Sequence, residues 1–257
     1  MTQMRSIVLG VFQTRSVVLS VFWRSIVLSI FLLPPAHAQL NCSGGCGTNI
    51  TAPRFVQSAT AARDAATVVF PNNVVSGDVL IVALGWSSTA NTTPSISDTL
   101  TTTWTKVLEK SGAAAGDNLA IFTGTASSSG ADTVTPTYPA GAGFKGVYAV
   151  EFDGTTVLAT LDGTGSSQQA GSNIVCNTSL TTAFKGDLIL GYLDWGTSTF
   201  PNYWASSSTI DAASQGSDGG MIFHQIQSAS AMGLVGISAG SSNASTCAVG
   251  IIALKHG

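Results

Sequence analysis

The chain predicts an all-β protein: a jelly-roll-like antiparallel β-sandwich built of two pseudo-repeated halves. Three observations carry this. From Arg54 onward the sequence breaks into short apolar or alternating runs separated by Gly, Asn, Asp and Pro, the pattern of successive strands and turns. The unit Gly77-Asp78-Val79-Leu80-Ile81-Val82-Ala83-Leu84-Gly85-Trp86 is echoed 109 residues later by Gly186-Asp187-Leu188-Ile189-Leu190-Gly191-Tyr192-Leu193-Asp194-Trp195. No segment carries a convincing amphipathic helix; Ala59–Ala66 is Ala-rich but too short to stand alone.

Taken in order, residues 1–38 are a secretory signal peptide. A phrase beginning at Arg5, Arg15 and Arg24 is repeated three times, and the last copy runs into Pro34-Pro35-Ala36-His37-Ala38. Three basic residues, an apolar run from Ser25 to Leu33 and a small-residue cleavage motif are the three parts of such a signal. The run is far shorter than the ~20 residues that cross a bilayer, so no membrane span is expected after cleavage near Ala38. An uncleaved anchor is the competing reading. Residues 39–53 form a Gly/Cys-rich N-terminal arm, and 54–257 a single β-sandwich domain.

Candidate strands in the first half are Phe55–Ala59, Thr67–Phe70, Val79–Trp86, Trp104–Leu108, Leu119–Thr123, Thr133–Tyr138 and Val147–Phe152. In the second they are Ile174–Ser179, Leu188–Leu193, Tyr203–Ser207, Met221–Ile226, Leu234–Ser238 and Ala248–Leu254. The halves span about 55–154 and 173–255. Their spacing is too long for a solenoid or propeller and fits two four-strand halves of a double Greek key. In each Gly-Asp pair, Gly suits a turn that needs positive φ. Asp suits a turn where it accepts a backbone N–H and keeps the strand entrance wet. Apolar residues at consecutive positions in Val79–Val82 and Leu188–Leu190 indicate strands covered on both faces.

Only 9% of residues are charged, against a typical ~25%. Removing the leader leaves 7 basic and 13 acidic residues in 219, a mildly acidic chain with no basic cluster. That argues against nucleic acid and anionic membranes as partners. Four cysteines after the leader suit an oxidising compartment, extracellular or periplasmic. Of the three connectivities, Cys42–Cys46 and Cys176–Cys247 are favoured, the second tying the first strand of the second half to its last. Free buried thiols are the alternative for Cys176 and Cys247. No metal site is expected: spacings fit no zinc pattern, and His224 and His256 are the histidines left after cleavage.

The runs Ser76–Val82, Ser97-Asp98-Thr99 with Thr103–Val107, Ile121-Phe122, and Tyr148–Gly154 together resemble a family of uncharacterised secreted bacterial β-sandwich proteins over about residues 55–255. The resemblance implies a jelly-roll-like fold and brings no assigned chemistry or catalytic residues.

Candidate chemistry is sparse. Gly236-Ile237-Ser238-Ala239-Gly240 matches the G-x-S-x-G pattern, but the strand–turn–helix context and a following acid are missing. Glu151 and Asp153 share a strand face and could serve a polysaccharide-active enzyme, with a strand end entering a turn as the plainer reading. Asp211, Asp218 and the Asp162-Gly163 loop offer oxygens to a structural calcium, without EF-hand spacing. Asn41, Asn49, Asn91, Asn177 and Asn243 begin N-x-S/T sequons; in a bacterium these are ordinary polar loops. The binding candidates are aromatic: Trp195, Phe200, Asn202, Tyr203 and Trp204, with Trp86 at the matching place in the first half. Such rings stack on sugars, or else are core payload at strand ends.

The expected function is a non-catalytic extracellular binding or adhesion module, with a glycan or surface protein as partner. A structural subunit of a surface or matrix assembly is the alternative, since flat Ser/Thr/Ala strands such as Ala229–Gly240 suit edge pairing. No cofactor is expected beyond structural calcium, and the sequence fixes no oligomeric state.

Overall fold

In the computed structural model, the two Gly-Asp-strand-Trp units form the centre of the molecule. The structure describes residues 51–257, apart from 62, 89–92, 112–115, 171–174, 197–202, 206–207, 215–217, 229–231 and 242–245. The expected signal peptide, the expected Cys42–Cys46 pair and most of the expected N-terminal arm lie outside the described residues. The described chain is all β, with no helix.

The strands of the first half are β1 (Phe55–Thr60), β2 (Val68–Val69), β3 (Val79–Ser87), β4 (Ser95–Asp98), β5 (Thr105–Lys110), β6 (Asp117–Thr125), β7 (Thr133–Thr137) and β8 (Lys145–Phe152). Those of the second are β9 (Val157–Ala170), β10 (Val175–Thr182), β11 (Leu188–Gly196), β12 (Tyr203–Ala205), β13 (Thr209–Ser214), β14 (Asp218–Ile226), β15 (Gly233–Ser241) and β16 (Thr246–His256). The first half forms a five-stranded sheet, β1-β8-β3-β6-β5, and a three-stranded sheet, β2-β7-β4. The second forms β9-β16-β11-β14-β13 and β10-β15-β12. With β9 counted as a first strand, the order is the same in both halves, and every pairing is antiparallel.

The expectation of two four-strand halves sharing a two-layer sandwich gives way to eight strands per half and four layers. Strand alternation shows why. In β3, Val79, Ile81 and Ala83 point into a core shared with Leu188, Leu190 and Tyr192 of β11. The intervening Leu80, Val82, Leu84 and Trp86 point the other way, onto Val68, Phe70 and Val134 of the first half's outer sheet. In β11, Ile189, Leu193 and Trp195 point onto Cys176, Leu180, Ile237 and Ala239 of the second half's outer sheet. The two five-stranded sheets therefore pack face to face, each backed by its own three-stranded sheet. A strand in such an inner layer has no solvent face, which is what consecutive apolar residues demand.

Glycines on the inner faces admit side chains from the opposite half. A Cβ on Gly250 would lie 2.5 Å from Leu108 and 2.7 Å from Leu119. A Cβ on Gly85 would lie 2.3 Å from the Tyr192 hydroxyl and 2.5 Å from Asp194 Oδ1.

The turn glycines behave as expected: Gly77 and Gly186 adopt φ of 93° and 75°. Their aspartates do not keep the strand entrance wet. Asp78 and Asp187 are both buried, Asp187 completely.

Cys176 and Cys247 form a disulfide. The two strands are not neighbours in one sheet: β10 belongs to the outer sheet and β16 to the inner, so the bridge crosses the second sandwich. It closes on Trp195, whose strand partner is Cys247.

Candidate functional site

The aromatic candidates separate into three groups. Trp86 and Trp195 are fully buried, each in the core between an inner sheet and its outer sheet. Neither ring is available to a ligand, and the expected pair of aromatics at matching strand exits is core payload. Phe200 and Asn202 lie outside the described residues. Tyr203 and Trp204 lie in β12, paired with Ser241 and Gly240 of β15.

That register places Trp204 on the three-stranded sheet β10-β15-β12, whose outer side has a distinctive composition. β10 alternates: Cys176 and Leu180 face the core, and Asn177, Ser179 and Thr181 are exposed. β15 alternates in step: Ile237 and Ala239 face the core, and Leu234 and Gly236 are exposed. Cross-strand pairing sets Asn177 against Ser238, Ser179 against Gly236, Thr181 against Leu234, and Val175 against Gly240. Ser238 Oγ donates to Asn177 Oδ1 at 2.5 Å. Gly240 thus stands between Val175 on one strand and Trp204 on the other. Space above Gly236 is open. The result is a strip of bare backbone flanked by an amide and hydroxyls, with the backbone of β12 in register beside it at Trp204. Ser238, the middle residue of the G-x-S-x-G match, is a mid-strand residue here and not the apex of a strand–helix turn.

The corresponding sheet of the first half, β2-β7-β4, is a hydroxyl surface. Thr135 and Thr137 of β7 pair with Ser97 and Ser95 of β4, all exposed. A shallow depression of about 280 Å³ between the halves is also hydroxyl-lined, by Thr103, Thr105, Thr123, Thr125 and Ser127. No titratable group lines it.

The carboxylates that sequence reasoning singled out do not converge on a cleft. Glu151 is fully buried. It accepts hydrogen bonds from the Gln57 side-chain amide and, at 3.0 Å, from the Val75 N–H. Burial pushes its carboxyl up, with the Asp78 carboxyl as a hydrogen-bonded neighbour. Asp153 sits at the surface and accepts from the Thr155 N–H and hydroxyl at 2.8 and 2.7 Å and from Arg54. Those Thr155 bonds, then Arg54, hold it down to about 2. Of the calcium candidates, Asp162 takes the N–H groups of Ala183 and Phe184, and Asp211 is engaged with His224. No three His, Cys, Asp or Glu gather into a metal set among the described residues.

One constellation was missed. His224 Nδ1 lies 2.7 Å from Asp211 Oδ1, both almost wholly buried. Phe55 stacks on the imidazole at 5.9 Å, and Phe152 meets it edge-on at 5.3 Å. Burial raises the Asp211 carboxyl, against the lowering effect of His224. Ser58 Oγ donates to the Asp211 carbonyl at 2.8 Å. Since β1 and β8 belong to one half and β13 and β14 to the other, the group is a clasp between halves. It is closed over by Phe rings and presents no substrate surface. Sequence carried one weak signal, a His inside the apolar run Met221–Ile226.

Comparison with known protein families, curated proteins and solved structures finds no match to this chain.

Proposed function

We propose that this chain is a secreted, non-catalytic binding module whose outer β10-β15-β12 face takes an extracellular glycan. The observation that carries the reading is the register Val175–Gly240–Trp204 beside the Asn177–Ser238 pair. Sugar rings have apolar faces and hydroxyl rims. Bare glycine backbone in register with a Trp position on the next strand suits the faces, and an Asn/Ser/Thr row suits the rims. The disulfide fixes β10 to the inner sheet, which gives the face a stiff support. A disulfide-bonded cysteine pair and no described helix long and apolar enough to cross a membrane are compatible with an extracellular protein. We further infer that each half is its own jelly roll, on the order 1-8-3-6 against 2-7-4.

The polysaccharide-active reading draws no support from Glu151 and Asp153, one closed off by its partners and the other tied into a surface turn. The assembly reading keeps only part of its strand: β15 pairs with β10 from Gly233 to Gly240 and with β12 at Ala239, Gly240 and Ser241. A glycan array probed with purified protein tests the proposal. Retention on at least one glycan class, lost in Trp204→Ala and weakened about tenfold in Asn177→Ala, is expected. No retention on any glycan, or retention unchanged in Trp204→Ala, would refute it.

A further inference from the structure

The hydroxyl-lined depression between the halves is open where its counterpart in the second half is plugged. Thr123 on β6 and His224 on β14 hold equivalent places: their strand partners are Ile81 and Leu190, 109 residues apart in the two echoing units. An edge strand sets a threonine beside each, Thr105 beside Thr123 and Thr209 beside His224. At His224 the space is filled. Phe55 stacks on the ring, Phe152 meets it edge-on, and Asp211 pairs with its Nδ1. At Thr123, where β9 lies against β5 and β6, the second half contributes Ala159, a single methyl.

Strand alternation produces the lining. Leu119 and Ile121 of β6 point into the core that the halves share, and Ala159 packs against that core from the other side. Thr123 and Thr125 continue the same row of β6. Thr105 pairs with Thr123 across the two strands, and Thr103 lies two residues before it. The inner face thus changes from Leu and Ile to Thr where the depression begins. Thr123 is only 2% exposed. The hydroxyls of Thr103, Thr105, Thr123 and Thr125 make no hydrogen bond to another of the described residues. Leaving a nearly buried hydroxyl unspent is costly, and Val would give the same shape without that cost. Ser127, at the rim, is held by donating to the Leu100 carbonyl at 2.6 Å.

We propose that this depression is a second binding site, one that takes a single neutral polyhydroxylated ring, such as one hexose, on the Thr123 and Thr105 hydroxyls with Ala159 against one side of the ring. The chemistry of the lining limits the ligand to this class. Each hydroxyl can donate and accept, as each ring hydroxyl can. No charged side chain lines the depression, so an ion would give up hydration and gain no counter-charge. The volume of about 280 Å³ is just under the ~300–1,000 Å³ of ordinary ligand pockets, which suits one ring and not a chain. The site is separate from the β10-β15-β12 face and does not rest on the reading of that face.

Amide NMR titration of the intact protein with glucose, galactose, mannose and N-acetylglucosamine, each in turn, is the test. At least one sugar should shift the Thr123, Gly124 and Ala159 amides saturably. Thr123→Val, which keeps the shape and removes the hydroxyl, should weaken that binding about fivefold. Ala159→Phe, which imitates the plugged counterpart, should abolish it. Trp204→Ala, on the other proposed face, should leave it unchanged, so the two sites can fail separately. No saturable shift at these amides with any of the sugars overturns the site. So do shifts that persist at full affinity in Thr123→Val and Ala159→Phe, or that vanish in Trp204→Ala. Should Ala159→Phe fail to fold, Thr123→Val decides alone: unchanged affinity overturns the site.

Discussion

Substituting Gly85 by Ala would test whether the two halves are locked by a fitted contact or merely lie against one another. The Tyr192 hydroxyl sits between two glycines: a Cβ on Gly85 would come within 2.3 Å of it, and a Cβ on Gly220 also within 2.3 Å. Tyr192 is fully buried, its ring 5.1 Å from that of Tyr148, and its hydroxyl donates to Asp194 Oδ1 at 3.2 Å. An added methyl on β3 needs about 1 Å more room, and the hydroxyl cannot retreat without meeting Gly220. Overpacking of this kind costs about 1–3 kcal/mol. Displacing the hydroxyl from a buried carboxylate adds about 1–3 kcal/mol. We expect Gly85→Ala to lose about 3–5 kcal/mol in urea denaturation followed by tryptophan fluorescence. Tyr192→Phe removes the clashing oxygen and its hydrogen bond to Asp194, while the approach of the new Cβ to Asp194 Oδ1 at 2.5 Å stays. In a double-mutant cycle the pair should therefore be less destabilised than the sum of the single changes by at least about 1 kcal/mol. A Gly85→Ala loss below about 1 kcal/mol, or additive effects in the cycle, would refute a fitted contact between the halves.

Two further outcomes follow from the cores. Replacing Cys176 and Cys247 together by Ala opens a loop with a sequence separation of 71 and should cost about 4 kcal/mol, read as a lower urea midpoint that dithiothreitol no longer changes. Trp86→Ala should cost about 3–5 kcal/mol, whereas Trp86→Phe should cost much less, because the buried Trp86 Nε1–H has no hydrogen-bond acceptor among the described residues to lose; urea titration of both variants checks the difference.

The inner strands were legible because their environment is uniform. β3 and β11 are covered on both sides, and consecutive apolar residues say so without reference to any partner. What the apolar runs did not say is what covers them: a second sandwich, rather than one opposing sheet. The missed strands are β4, β9 and β13, all at sheet edges. β9 reads Val157-Leu158-Ala159-Thr160-Leu161-Asp162-Gly163-Thr164-Gly165-Ser166-Ser167-Gln168-Gln169-Ala170, polar and Gly-containing, and takes its extended form from pairing along β16. Its glycines have a packing cause invisible in sequence. A Cβ on Gly163 or Gly165 would lie 2.6 or 2.0 Å from the carbonyls of Thr181 and Ser179, where β10 crosses over β9. Overlooking this strand put the start of the second half near 173 instead of 157. For the site, local sequence could not divide buried from exposed tryptophan. Trp195 is placed by Cys247 opposite it, on a strand from the far end of the chain.

The layering also indicates where the halves can differ. Residues on the facing sides of the inner sheets fill one common core, so a change at Ile81 or Leu190 must suit both halves at once. The outer sheets answer only to the sheet behind them: β2-β7-β4 packs into one core, and β10-β15-β12 into another. Their solvent sides answer to nothing inside the molecule. It is there that the halves diverge, into a Thr/Ser surface on one side and the Asn177, Ser238 and Gly236 strip on the other. The inner strands that made the two halves recognisable are thus the part least free to carry specificity. The outer sheets, whose weaker patterning hid their role, are where a ligand would be chosen.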